Sequence, residues 1–549
     1  MQGLNDNVVV LRVVGFTLGL LMLLAVLVLM PTSSCQADTQ SLRIVDSSRD
    51  PLTLHPHRSI DPNSDLVISQ IYEGLIDYDE QGRLVGRLAV KWRRLSPLRY
   101  RFWLREGVYF HNGEPFDAEA VRFSLSIQMS DRPRPAANSW LFDPDFHAEI
   151  IDRYIVDLVT GRPDARLPYT LPTFFKIVPP QFVRASGSAS LSQHPVGTGP
   201  YRFVSWERGH AINLIANSRY WKPGHPHIQK LSFLFVDQDR QVESLLKGDI
   251  DLITKLAGKD TLKLMQEPGT KVLKRHVASV FWAAMKNFDS PFADKKVRQA
   301  MNYAINKRHL NQYVEKGNSI QVSTMTNPLE MDYHPNLRPY PFDPSIAKRL
   351  LTDAGYPYGF NVRVLASEDT KYMADALKAQ LQMIGVYLDI KILPREEYLR
   401  LTIIPKMETG KPAFDGDMVI WLTPNPTLNA FFNPAVIFYS KSPYAIMNDA
   451  KFDRLYFDFI HQSEKEAIRR SLYRLQAYML DQAFSIYTAQ RVLTIGLRKG
   501  LNLQLDPTGT LFGFTLMKAY WQDTTVLGTA LETNFGLSSV DEDRSRMTP

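Results

Sequence analysis

The sequence predicts an α/β protein with more than one core, its helices layered on a mainly parallel sheet. Three observations predict it. Strand-like and helix-like segments alternate along most of the chain, the pattern that packs helices against strands. At 549 residues the chain exceeds the length at which one hydrophobic core keeps growing. Its 44% hydrophobic and 22% charged residues are a globular balance, unlike that of a disordered chain.

The first segment is a targeting element. Val13 to Met30 is uncharged and apolar, follows Arg12 and precedes Pro31-Thr32-Ser33-Ser34-Cys35. Basic, apolar and small-residue regions in that order read as a secretory signal. At about 18 residues the run is also long enough to remain as a membrane anchor. Cys35 is the single cysteine, so no intrachain disulfide forms. It follows the small pair Ser33-Ser34 and is a candidate lipid-attachment residue, with Thr32 where such sites favour Leu. Lipidation, cleavage and retention all put the body outside the cytoplasmic membrane. The net charge of +7 is small for this length and forms no dominant basic cluster, so nucleic acid is not an expected partner.

Leu42-Arg43-Ile44-Val45 reads as the first strand, and Leu66, Val67, Ile71 and Leu75 form a helical stripe that carries Tyr72 and Glu73. His55 and His57 are two apart, but no further His, Cys or carboxylate completes a metal site nearby. Tyr100 to Arg105 alternates basic and apolar residues as a half-buried strand. His111-Asn112-Gly113 supplies a turn and Asp117 caps the next helix. Tyr154 to Val159 resumes strand. His194 to Tyr201 contains Gly197-Thr198-Gly199, which lacks the Gly-Lys-Ser/Thr ending of a phosphate loop. Gly248 stops a helix, Asp294 and Asp343 cap two more, and Gly385 ends another before the strand Leu388 to Ile392. Asp415 to Trp421 enters a strand that gives way to an irregular run, Leu422 to Asn429, and Ala467 to Leu480 is amphipathic.

Tyr72-Glu73-Gly74-Leu75, Leu88-Ala89 with Trp92, Tyr100 to Phe116, Gly197 to Tyr201, Asn217 to Trp221 and Pro291 to Asp294 occur in an order that resembles the family 5 extracellular solute-binding proteins. These are peptide, dipeptide and nickel-chelate receptors of ABC importers. The resemblance implies a two-lobed periplasmic-binding-protein-like fold of class II type, with a small domain inserted in the first lobe. The implied division is a signal or anchor at 1–35, first lobe at 36–63, inserted domain at 64–194, first lobe again at 195–284, second lobe at 285–484 and a return to the first lobe at 485–549. Chain crossings between lobes are expected near Met285 and Phe484.

The same resemblance implies an extracytoplasmic receptor that captures a peptide-like or other polar small solute and delivers it to a permease complex in the cytoplasmic membrane. It implies a monomer without cofactor. An anchored extracytoplasmic sensor with this fold is the alternative; an enzyme is disfavoured, because no G-x-S-x-G, metal helix, P-loop or Cys nucleophile is present and no catalytic or metal residue is assigned. Tyr72, Phe281, Trp282 and Trp421 are the candidate aromatic walls of the cleft, and Thr423, Asn425 and Asn429 its candidate polar contacts. Peptide-binding relatives place a carboxylate for the ligand ammonium in the loop after the strand ending in Trp. Here Trp421 to Asn429 holds no acid, and Asp369 and Lys371 stand where dipeptide receptors use Arg. A buried ammonium without a countercharge is costly, so an atypical ligand is expected.

Overall fold

A computed structural model describes residues 40–46, 48–59, 62–130, 139–402, 416–505, 507–508 and 516–522. The signal segment and Cys35 lie outside these residues, as does Asp415. Among the described residues no helix is long and apolar enough to cross a membrane.

The strands in chain order are β1 (Ser41–Val45), β2 (Ile76–Tyr78), β3 (Leu84–Gly86), β4 (Ala89–Ser96), β5 (Arg99–Leu104), β6 (His147–Asp152), β7 (Ile155–Val159), β8 (Tyr201–Glu207), β9 (Ala211–Ala216), β10 (Lys230–Leu234), β11 (Leu252–Ile253), β12 (Thr270–Met285), β13 (Ser319–Gln321), β14 (Phe360–Ser367), β15 (Val386–Leu393), β16 (Met418–Pro424) and β17 (Ser485–Arg498). The main sheet runs β15-β14-β16-β12-β17-β11-β1-β10-β9-β8, with β13 also on β17. A separate sheet, β4-β5-β7-β6, belongs to the inserted region, and β2 and β3 form a hairpin. The fold is two-lobed α/β.

The sheet is mixed, which corrects the expectation of a mainly parallel one. Parallel pairing is confined to β1 with β10 and β11, and to β14 with β15 and β16. Between these two groups β12 and β17 run antiparallel over nearly their whole lengths. The first half of β12, Thr270 to His276, pairs with Val492 to Arg498; the second half pairs with both β16 and the start of β17. The ladder slips between His276 and Val280. An irregularity of this kind bends and twists a strand locally.

Side chains alternate across β12, as strand geometry requires. Val280, Trp282 and Ala284 enter one core, shared with the inserted sheet and the helices Phe432–Phe438, Ala450–Ile460 and Lys465–Gln482. Phe281, Ala283 and Met285 enter another, beneath the helices Lys295–Tyr303, Pro344–Asp353 and Lys371–Leu381. The third large core, from Leu42 and Ile44 to Ile495 and Leu497, fills the first lobe.

The expected caps form. Asp294 accepts from the Lys296 N–H, Asp343 from those of Ser345 and Ile346, and Asp117 from that of Glu119. Gly248 and Gly385 close their helices with φ of 81° and 83°. One helix is shorter than its apolar stripe: it spans Pro62–Ile71, leaving Tyr72 and Glu73 beyond its end. The Ile71 carbonyl accepts from the Gly199 N–H at 2.9 Å, which releases the following residues from the helix.

Candidate ligand-binding site

The second half of β12 and the end of β16 position the aromatic candidates. Trp282 and Trp421 are directly opposed across the two strands, edge to face, with centroids 5.2 Å apart. The Trp282 indole N–H donates to Thr423 Oγ1 at 3.0 Å. Phe281, one residue before, necessarily points to the opposite face, where its ring meets Tyr372 at 5.8 Å. Tyr72 lies in the first-lobe core and joins neither group; burial raises the pKa of its phenol. The structure therefore brings Trp282, Trp421 and Thr423 together and leaves Phe281 and Tyr72 apart.

After Pro424 the chain turns back on itself. The Asn425 Oδ1 accepts from the N–H and hydroxyl of Thr427, and its Nδ2 donates to the Asn429 carbonyl at 2.8 Å. Asn429 Oδ1 accepts from the Phe431 N–H. Both asparagines are buried and committed to their own turn, as Asx side chains commonly are. This turn is held by residues far from it in the chain. The Tyr78 hydroxyl donates to the Thr427 carbonyl at 2.5 Å, Thr173 Oγ1 to the Pro426 carbonyl at 3.0 Å, and Phe174 stacks on Phe432 at 5.4 Å.

A carboxyl absent from the turn reaches it from elsewhere in the chain. Met331 donates to the Leu428 carbonyl and accepts from the Ala430 N–H, which lays Glu330 beside the turn. Glu330 is 4% exposed. Its Oε1 accepts from Asn327 Nδ2 at 2.6 Å, and Oε2 has no hydrogen-bond partner among the described residues. Burial pushes the pKa of this carboxyl well up, with the nearby Asn425 amide and the Asn327 backbone opposing it. Sequence reasoning missed Glu330, because Asn327 to Met331 carries no periodicity or motif and its pairing with the 428–430 segment is non-local.

The signature motifs converge on a different carboxylate. Glu73 Oε1 accepts from the Tyr220 hydroxyl at 2.7 Å, and Oε2 from Thr198 Oγ1 at 3.1 Å and the Trp221 indole at 3.0 Å. Arg87, 2% exposed, sits 3.8 Å from Glu73 and 3.2 Å from Asp77. Burial pushes the Glu73 pKa up, and Arg87 and the three donors act against it. One buried acid thus ties three distant motifs into a scaffold. His111 joins the same region through the Gly199 carbonyl at 2.9 Å. His57 contacts the Lys176 carbonyl at 2.8 Å and, with His55, is fully buried in a loop packed on the core.

Residues 83–441 match the family described as bacterial extracellular solute-binding proteins, family 5, middle. The chain is 30% identical over 353 residues to the glutathione-binding protein GsiB of Pectobacterium atrosepticum, covering 62% of this chain and 66% of that protein. It is 26% identical over 454 residues to heme-binding protein A of Haemophilus influenzae, covering 77% of this chain and 82% of the relative. The fold is that of the periplasmic binding protein DppA from Helicobacter pylori in complex with the peptide STSA, with TM-score 0.77 and 21% identity, covering 88% of this chain and 98% of that one. A dipeptide-binding protein from Pseudoalteromonas in complex with Met-Leu gives TM-score 0.77 at 21% identity, covering 88% and 100%. The match, which runs from β3 through the helix Phe432–Phe438 and covers more than half the chain, places it in its family: it is a bacterial extracellular solute-binding protein of family 5.

Proposed function

We propose that the chain is an extracytoplasmic receptor that captures a small polar or peptide-like solute between its lobes and delivers it to an ABC permease. The observation that carries this reading is the turn at 425–431, which stands on the second lobe and is gripped by Tyr78 and Thr173 from the other side. Similar folds occur in complex with peptides, and named relatives bind glutathione or heme. Closing lobes over a solute removes it from water, so its polar groups need fixed partners.

The hinge in this reading lies at the slip in β12 between His276 and Val280 and the facing part of β17, a few residues inside the crossings expected at Met285 and Phe484. Cys35 or the Val13 to Met30 segment holds the body to the membrane. The ligand is atypical for a peptide receptor: the turn itself carries no acid, and burial raises the pKa of the nearby Glu330 carboxyl, which disfavours a charged partner for an ammonium group there.

Mass spectrometry of the protein purified natively from an export-competent host tests the reading. A co-purifying small solute, and a more compact scattering profile with it than after its removal, are expected. A profile unchanged by a bound solute removes the closure on which the proposal depends. Calorimetry with di- to pentapeptides tests the specificity: submicromolar binding abolished by amino-terminal acetylation would show ordinary peptide recognition instead.

A further inference from the structure

The sheet β4-β5-β7-β6 has two unlike faces. Phe102 of β5 and Val156 of β7 stand opposite each other and enter the core. Side chains alternate along a strand, so Arg101, Trp103 and Asp157 point the other way. Register carries this second face across to β4, where Lys91 stands opposite Trp103 and Arg93 opposite Arg101. Lys91 and Arg93 are exposed, and Arg99, Arg101 and Trp103 partly so. The Lys91 ammonium lies 4.8 Å from the centre of the Trp103 ring. Where β4 turns into β5, Leu95 and Leu98 are 41% and 37% exposed.

The charges on this face do not balance. Asp157 is fully buried beneath the arginines: Arg99 Nη1 donates to it at 2.9 Å, and Arg101 Nε and Nη2 at 2.7 and 3.0 Å. Glu149, opposite Asp157 on β6, accepts from the same Arg99 Nη1 at 2.5 Å and has His147 at 3.4 Å. Both carboxylates are thus taken by Arg99 and Arg101. Lys91, Arg93, Arg99 and Arg101 against Asp157 and Glu149 leave two positive charges, and Lys91 and Arg93 make no ion pair among the described residues. Arg93 moreover faces Arg101 directly, and like charges across a strand pair cost stability. A face that only met water would do better with mixed signs.

We infer that this face rests on the anionic headgroups of a phospholipid bilayer, with Lys91 and Arg93 against lipid phosphates and Trp103 at headgroup depth. Lysine and arginine are drawn to an anionic membrane surface, and an indole settles where apolar and aqueous regions meet. The leucines of the β4–β5 turn extend the same face with apolar surface. The inference rests on the anchoring of the chain proposed above. Residues 31–40, about 10 in number, separate the apolar run from β1 and span at most ~35 Å. A body tethered so closely meets the bilayer at high effective concentration, at which even a weak face is engaged.

Residues 1–40 contain no tryptophan, so the tryptophan emission of the full chain reports on the body alone. The full chain is reconstituted with vesicles of phosphatidylcholine, or of an equal mixture of phosphatidylcholine and phosphatidylglycerol, brominated near the headgroup end of the acyl chains. Quenching is expected to be at least about twofold greater in the mixed vesicles and to fall back in high salt. Trp103→Phe should remove that increment. Lys91→Glu with Arg93→Glu, which breaks no ion pair of the sheet, should remove it as well, whereas Lys263→Glu with Lys271→Glu, an equal change of net charge elsewhere, should leave more than about half of it. Equal quenching in the two vesicles, an increment that survives Trp103→Phe, or equal losses in the two charge variants would each overturn the inference. Protection of Lys91 from acylation by a polyglutamate peptide, but not by the mixed vesicles, would assign the face to an acidic protein and overturn it too. Flotation with phosphatidylcholine vesicles alone tests the anchor. A chain that fails to float there yet shows the increment with phosphatidylglycerol loses the anchor and keeps this face, so the two failures give different results.

Discussion

Trp282 of β12 and Trp421 of β16 stand directly opposite each other, planes 80° apart, and the Trp282 N–H is spent on Thr423 two residues beyond its partner. The pair is a cross-strand clamp buried in the core. Opposed aromatics contribute beyond their burial, and the hydroxyl of Thr423 keeps a buried indole donor satisfied.

Thr423→Val removes that hydroxyl while nearly preserving shape. The Trp282 N–H is then buried without a partner, which should cost about 1–3 kcal/mol. Denaturant midpoints of Thr423→Val and Thr423→Ser check it: Ser should restore most of the loss, and equal stability of Val and wild type would show that the bond contributes nothing.

Gly197 and Gly199 are fixed by space. A Cβ on Gly197 would lie 2.1 Å from the Ile71 carbonyl oxygen, and one on Gly199 2.5 Å from that of Gln70. Both neighbours are backbone at the end of a helix and cannot swing aside. Gly197→Ala should cost more than about 3 kcal/mol, at the severe end for single substitutions, whereas Gly209→Ala, with nothing within 4 Å, should lose only what its φ of 75° costs. Thermal unfolding of the two variants gives the comparison, and similar losses would refute the steric account.

Much of the fold was legible because its signals are local. Asp294, Asp343, Gly248 and Gly385 act within a few residues of themselves, and they cap or stop the helices expected of them. What was not legible is non-local. The antiparallel run of β12 with β17 joins segments about two hundred residues apart in the chain, and nothing in either strand's pattern distinguishes an antiparallel neighbour from a parallel one. The site divided the same way. Trp282 and Trp421 were recognisable as aromatics at strand ends, Asn425 and Asn429 turned out to serve their own turn, and Glu330 was invisible until pairing of its segment with Leu428 and Ala430 placed it there.

His111 should make the protein sensitive to acid. Its Nε2–H donates to the Gly199 carbonyl and its Nδ1 accepts from the Gly197 N–H, a neutral-ring arrangement that protonation breaks. Burial lowers its pKa from 6.5 to about 4. A depressed folded pKa means stability that is present above pH 6.5 and is lost as pH falls towards 4. The slope is up to about 1.4 kcal/mol per pH unit for one proton, less where water screens the ring. Burial also lowers His55, to about 3, so its contribution has the same sign and extends further into acid. His111→Gln should flatten the stability curve between pH 6.5 and 4; chemical unfolding at several pH values would expose the idea as wrong if the slopes coincided.

Glu330 should act in the opposite direction. Its carboxyl is buried, accepts one hydrogen bond from Asn327, and has a folded pKa raised well above 4.5 by desolvation. The folded protein therefore holds a proton that the unfolded chain releases, so this group's stability is full below pH 4.5 and declines as pH rises towards the folded pKa. The decline is at most about 1.4 kcal/mol per pH unit over that window. Glu330→Gln carries no titrating group and retains an acceptor for Asn327, so it should match wild type near pH 4 and become progressively more stable relative to it by pH 7. Unfolding midpoints at pH 4, 5.5 and 7 measure the difference, and parallel curves would mean that Glu330 is ionised and compensated in the fold. Calorimetry on the same variant then reads the ligand: a solute whose cationic group pairs with Glu330 loses affinity by tenfold or more when the charge is removed, at about 1.4 kcal/mol per decade. A ligand without such a group binds the variant as it binds wild type, which is the outcome expected for this receptor.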